Sequence, residues 1–162
     1  MTHGGAAPSV LGMRSVSSAL LLLSFAAGGC ASAVDPKLVY GTYTVMVSAF
    51  GKSDPTIVVA SEGSDGTILL NFTYGITTDY NAVNASGLRS HVDGSELKLD
   101  SQPLHVDHST GAIDGTVIGV GTAGGAKLAL TLKVTPSNVT TINGMPYVAG
   151  TTIDYEVDGP KQ

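Results

Sequence analysis

Leu104-His105-Val106-Asp107-His108, followed by Asp114, is the densest group of possible metal ligands in the sequence. On a strand His105 and Asp107 point to one side, opposite Leu104 and Val106. With His108 from the turn, or His91 from a nearby strand, they form a possible site for a divalent ion. The same residues also fit a wet strand face running into an Asp-His-Ser-Thr-Gly turn, in which Asp107 accepts bonds from backbone amides. That second reading assigns neither metal nor cofactor, and is the one adopted. Nucleophilic catalysis has less to build on, since a serine hydrolase needs an exposed serine on a strained turn, a histidine and an orienting acid. No G-x-S-x-G occurs, and Ser86, Ser109 and Ser137 stand in ordinary turn contexts. Asp154, Glu156 and Asp158 offer carboxylates for glycoside hydrolysis, but their alternate spacing puts all three on one solvent face. The run Gly119 to Gly125 precedes no helix that could cradle a phosphate and reads as a flexible hairpin. No catalytic residue is assigned, and a non-enzymatic protein is expected.

Cys30 is the single cysteine, which excludes an intrachain disulfide. Residues Met1 to Ser15 carry one arginine, Arg14, and no acid; Val16 to Phe25 form an apolar block, and Ala26-Ala27-Gly28-Gly29 supply small side chains. That block is too short to cross a bilayer core, which takes about 20 residues. Ala27 to Cys30 resemble the lipobox of bacterial lipoproteins, with alanine at Ala27 where leucine is commoner. The resemblance implies a signal peptide over 1–29, a diacylglycerol on the Cys30 sulfur and a fatty acid on its freed amine. The membrane then becomes a partner through those acyl chains. With Ala31 and Ser32 next, and no aspartate, the resemblance implies the outer membrane, the domain facing the periplasm or cell exterior. A plain secretory signal cut near Ala31 to Ala33 would instead discard Cys30.

Residues 30–36 read as a lipidated tether and 37–162 as one domain. From Cys30 onward seven basic residues face thirteen acidic ones, a net charge near −6. Without a basic cluster, such a chain is a poor partner for nucleic acid or an anionic surface.

Across this domain the apolar pattern has period two, which predicts strands. In Lys127 to Thr135, Leu128, Leu130, Leu132 and Val134 alternate with Lys127, Ala129, Thr131, Lys133 and Thr135. Val39 to Ala49, Thr67 to Tyr74, Ser95 to Asp100 and Thr152 to Asp158 follow the same rule. Shorter candidates are Thr56 to Ala60, Gly87 to Val92, Pro103 to Asp107 and Ile113 to Val120. Asp65-Gly66, Asp93-Gly94 and Gly124-Gly125 supply tight turns. Pro136 to Gly150 reads as a loop, with room for a short strand at Val139 to Ile142. Consecutive antiparallel strands with one apolar face must close or stack. The expected fold is therefore all-β, an antiparallel up-and-down β-barrel of about eight or nine strands. A β-sandwich of immunoglobulin type is the alternative, disfavoured by the many short hairpins and the missing tryptophan and cysteine pair.

Gly41-Thr42-Tyr43 resembles the glycine-x-aromatic opening of lipocalin-type barrels, with tyrosine in place of tryptophan. Tyr74 to Gly121, including GITTDYNAVNASGL and HVDHSTGAIDGTV, is similar to uncharacterised small lipoproteins of soil bacteria related to the myxobacteria. The resemblance implies a lipocalin-like barrel on a lipid anchor. Barrels of this size enclose one small ligand or are filled by their own side chains. A small apolar or amphipathic ligand in the barrel is thus the first functional expectation, without assigned ligand-binding residues. A structural or interaction lipoprotein with a filled barrel is the alternative, its protein partner unspecified. The six tyrosines, Tyr40, Tyr43, Tyr74, Tyr80, Tyr147 and Tyr155, suit either a barrel mouth or the rim of an ordinary core.

Overall fold

The structure is a computed structural model, and it describes residues 34–74, 85–108, 111–124, 126–142 and 144–162. The signal segment, Cys30, Tyr80 and Ser109 lie outside the described residues, as do the side chains of Tyr74 and His108.

Alternation of apolar and polar residues produces the strands, and turn chemistry joins them. They are β1 (Gly41–Ala49), β2 (Lys52–Glu62), β3 (Ile68–Tyr74), β4 (Leu88–Asp93), β5 (Glu96–His108), β6 (Gly111–Gly124), β7 (Lys127–Pro136), β8 (Thr140–Ile142), β9 (Met145–Tyr147) and β10 (Ile153–Pro160). Eight of them close an antiparallel barrel in the order β1-β10-β7-β6-β5-β4-β3-β2, while β8 and β9 form a separate two-stranded sheet. The fold is the all-β, up-and-down barrel that the period-two pattern requires. Closure pairs each barrel strand on both sides, although β5 beyond its bulge has β6 as its one described partner.

On β10, Ile153, Tyr155 and Val157 point inward while Asp154, Glu156 and Asp158 point to water. Leu128, Leu130, Leu132 and Val134 of β7 do the same and meet β10 in register, Leu132 opposite Tyr155 and Leu130 opposite Val157. Tyr43, Val45 and Val47 of β1, next to β10, and Ile68, Leu70 and Phe72 of β3 face the same interior, all buried. Their side chains line the interior.

Each end is stoppered by a different device. At the first end a 3-10 turn, Pro36–Leu38, is begun by Pro36 and capped by the Asp35 carboxylate, which accepts from the Lys37 amide. Val39 follows it into the core, and its carbonyl accepts a hydrogen bond from the Tyr43 hydroxyl. The chain's last residues hold this end: Lys161 donates from Nζ to the Leu38 carbonyl and lies 5.9 Å from the Tyr43 ring centre. Gly41, with φ of 146°, takes a backbone conformation that residues with side chains rarely adopt, and the Lys161 stem lies over it.

At the second end the β8–β9 hairpin folds over the mouth. Ile142 and Tyr147 are buried, the Tyr147 hydroxyl is 3.1 Å from that of Tyr155, and its ring meets Phe50 edge-on at 5.7 Å. Phe50 reaches it from the β1–β2 turn, where Phe50 and Gly51 both adopt positive φ. The expected loop between Pro136 and Gly150 is thus a folded plug.

Two sequence expectations need correction. Ser95 to Asp100 and Pro103 to Asp107 are one strand, β5, interrupted by a bulge between Leu99 and Gln102. Gly119 to Gly124 is the paired arm of a β6–β7 hairpin rather than a flexible connection. Gly121 is needed inside the strand because a Cβ there would sit 2.0 Å from the Ala129 carbonyl oxygen of β7.

Among the described residues one buried side-chain polar atom lacks a partner. Thr56 points inward from β2, 1% exposed, and its hydroxyl makes no hydrogen bond. An unsatisfied buried hydroxyl costs about 1–3 kcal/mol, so Thr56→Val, which keeps the shape, is expected to stabilise the domain by about 1 kcal/mol in urea unfolding. A loss of stability instead would show that a trapped water holds the hydroxyl.

Candidate functional site

The residues singled out for chemistry meet where β5 parts from β4. These strands pair only from His91 to Asp93 against Glu96 to Lys98. Past the bulge a side chain replaces the ladder: the Gln102 carboxamide accepts from the Arg89 amide at 2.8 Å and donates to the Arg89 carbonyl at 2.7 Å. Pro103 then occupies β5 without an N–H to offer a neighbour. From there to His108 the described partner of β5 is β6. A cleft of about 600 Å³ opens beside it, with Ala85, Leu88, Pro103 and Leu104 among its apolar walls and His105, Asp107 and Asp114 at its rim.

Alternation places His105 and Asp107 outward, and the hairpin register sets Asp114 of β6 directly opposite His105. His105 Nδ1 lies 2.6 Å from Asp114 and Nε2 lies 3.1 Å from Asp107. Asp114 is itself well placed, because its amide donates to the Asn138 side chain and its carbonyl accepts from the Ser137 amide and hydroxyl. Asn138 also donates to the Ala112 carbonyl. The chain leaving β7 toward the plug is thereby moored to β6.

A carboxylate at each ring nitrogen favours the cationic imidazole, in which both nitrogens donate. The Asp114 hydrogen bond and the charge of Asp107 raise the His105 pKa above its ordinary value, against a small opposing effect of desolvation. A raised pKa means that the ion pairing contributes fully below about pH 6.5 and is lost as pH climbs through the raised value. In an NMR titration the His105 ring is expected to deprotonate later in the wild type than in Asp114→Asn. Equal midpoints in the two proteins would show that the pairing does not form in solution.

A ligating histidine must present a neutral nitrogen, and both of His105's are turned to carboxylates. Among the described residues no three His, Cys, Asp or Glu side chains converge as a metal site. His91 stands apart, its Nδ1 3.5 Å from Asp100. Ser86 and Ser137 line the cleft, but the Ser137 hydroxyl donates to a backbone carbonyl rather than to a histidine. Asp154 and Asp158 pair with Lys133 and Lys127, while Glu156 accepts from Thr131 on the open outer face. Of the tyrosines, Tyr43, Tyr147 and Tyr155 are buried near the two ends, and burial pushes the pKa of each upward.

The sequence brought forward His105, Asp107 and Asp114, and the structure joins them. It did not bring forward Gln102, Asn138 or the plug. The one available signal was Pro103 soon after an expected strand, which marks a place without a neighbour to bond. Comparison of the chain with protein-family models, curated proteins and solved structures finds no match.

Proposed function

We propose that this chain is a non-enzymatic, lipid-anchored interaction module, held in the outer membrane by acyl chains on Cys30 and working through the outer surface of a filled barrel. The small residues before Cys30 support the anchor. The observation that supports the surface reading is the burial of large side chains along the interior and at both ends, Val39 at one and Ile142 and Tyr147 at the other. Outside, the cleft beside His105 combines an apolar floor with a charged rim, the composition of a recognition site. The closed eight-stranded order, together with Gly41-Thr42-Tyr43 at the start of β1, supports grouping the domain with lipocalin-like barrels.

A small apolar or amphipathic ligand inside the barrel is the second reading, and the unpartnered Thr56 hydroxyl favours it. Native mass spectrometry on protein extracted from membranes separates the two. A triacylated chain beginning at Cys30 and free of adducts is expected, with Cys30→Ala moving to the soluble fraction. A co-purified small molecule displaced by unfolding would establish the second reading, and an unmodified Cys30 thiol would remove the anchor.

A further inference from the structure

Charge is unevenly spread around the barrel wall. At every outward position from Thr42 to Ser48 on β1, Ser53 to Ser61 on β2 and Leu69 to Thr73 on β3, the residue is uncharged. Met46, Ile57 and Val59 are 43%, 38% and 38% exposed there, and Pro55 lies among them. Beside β1, the outward residues of β10 are Asp154, Glu156 and Asp158. Beside β3, β4 turns Arg89 outward.

We infer that this uncharged flank is where a second copy of the chain docks, side by side in the same membrane. The inference rests on the lipid anchor proposed above. The chain enters the barrel at the first end, where the Val34 amide bonds the Gly94 carbonyl at 2.9 Å. An anchor upstream of Val34 holds each copy by that end, so neighbours meet flank to flank. With a net charge near −6 from Cys30 onward, copies repel wherever like charges line the approach; the outward positions of β1 to β3 named above carry none, whereas β10 turns acids outward and β7 turns Lys127 and Lys133 outward. A two-fold axis along the barrel keeps both anchors on one side and brings the acidic border of each copy toward Arg89 of the other. An axis across the strands would set acids against acids and is disfavoured.

Area explains why anchoring matters. Three strands about 4.8 Å apart and about 30 Å long present about 400 Å² per copy, half of what a standard interface buries on each partner. Free in solution the pair is weak. Confinement to a membrane raises the effective concentration, which is how such contacts become populated.

Cross-linking of the full chain in native membranes tests this, because an engineered thiol is the only free one once Cys30 is acylated. Ile57→Cys, at the centre of the flank, is compared with Thr122→Cys, exposed on β6, and the acyl mass is measured on the same samples. With acylation present, oxidation is expected to give about tenfold more covalent dimer for Ile57→Cys than for Thr122→Cys, falling on dilution into detergent. Acylation with equal dimer yields overturns the docking surface alone. Absence of acylation overturns the anchor, and the inference with it.

Discussion

Replacing Gly159 by alanine is expected to cost about 3 kcal/mol, a large share of what holds a domain of this size folded. Gly159 lies on the inner face of β10, where a Cβ would fall 2.1 Å from the Thr44 carbonyl oxygen and 2.6 Å from the Val45 Cα. Those are backbone atoms of β1, so no side-chain rotation relieves the overlap. The two strands must separate, and their pairing of Met46 with Asp158 and Val47 with Val157 is what completes the barrel. Gly66→Ala is the control, because its Cβ meets nothing within 4 Å and only a positive φ of 73° opposes it. That substitution is expected to cost about 1 kcal/mol. Urea unfolding of both variants measures the difference, and equal losses would show that β1 and β10 do not approach so closely.

The second large effect is expected at the plug. Tyr147→Ala removes the side chain that fills the mouth between Phe50 and Tyr155, and truncation of a buried aromatic costs about 3–5 kcal/mol. Tyr147→Phe keeps the ring and deletes the hydroxyl, for an expected loss of about 1 kcal/mol. The contrast separates packing from hydrogen bonding. Should Tyr147→Ala unfold at the wild-type urea midpoint, the β8–β9 hairpin would be an ornament on the surface and not a closure.

Strands with one wet and one dry face were legible because alternation needs no partner to be seen. Lys127 to Pro136 and Ile153 to Pro160 declare their inner and outer residues without knowledge of their neighbours. Pairing was harder. The bulge that joins Ser95 to Asp100 with Pro103 to Asp107 breaks the period for two residues, so one strand reads as two. Gly119 and Gly121 imitate a loop because the pressure for glycine comes from β7, which is distant in sequence. The Phe50-Gly51 turn was missed since phenylalanine seldom takes positive φ; its ring is held by Tyr147, nearly a hundred residues away. His105 and Asp107 could be placed together from spacing alone, whereas their union with Asp114 follows from the register of the β5–β6 hairpin.

β10, the final strand, is the bridge between β1 and β7. Until its residues are released, a nascent chain has seven barrel strands and two bare edges, and no finished core. Closure by β10 therefore brings together segments more than a hundred residues apart, Met46 with Asp158, and until they meet β1 and β7 each offer an edge to any other strand that can pair with them.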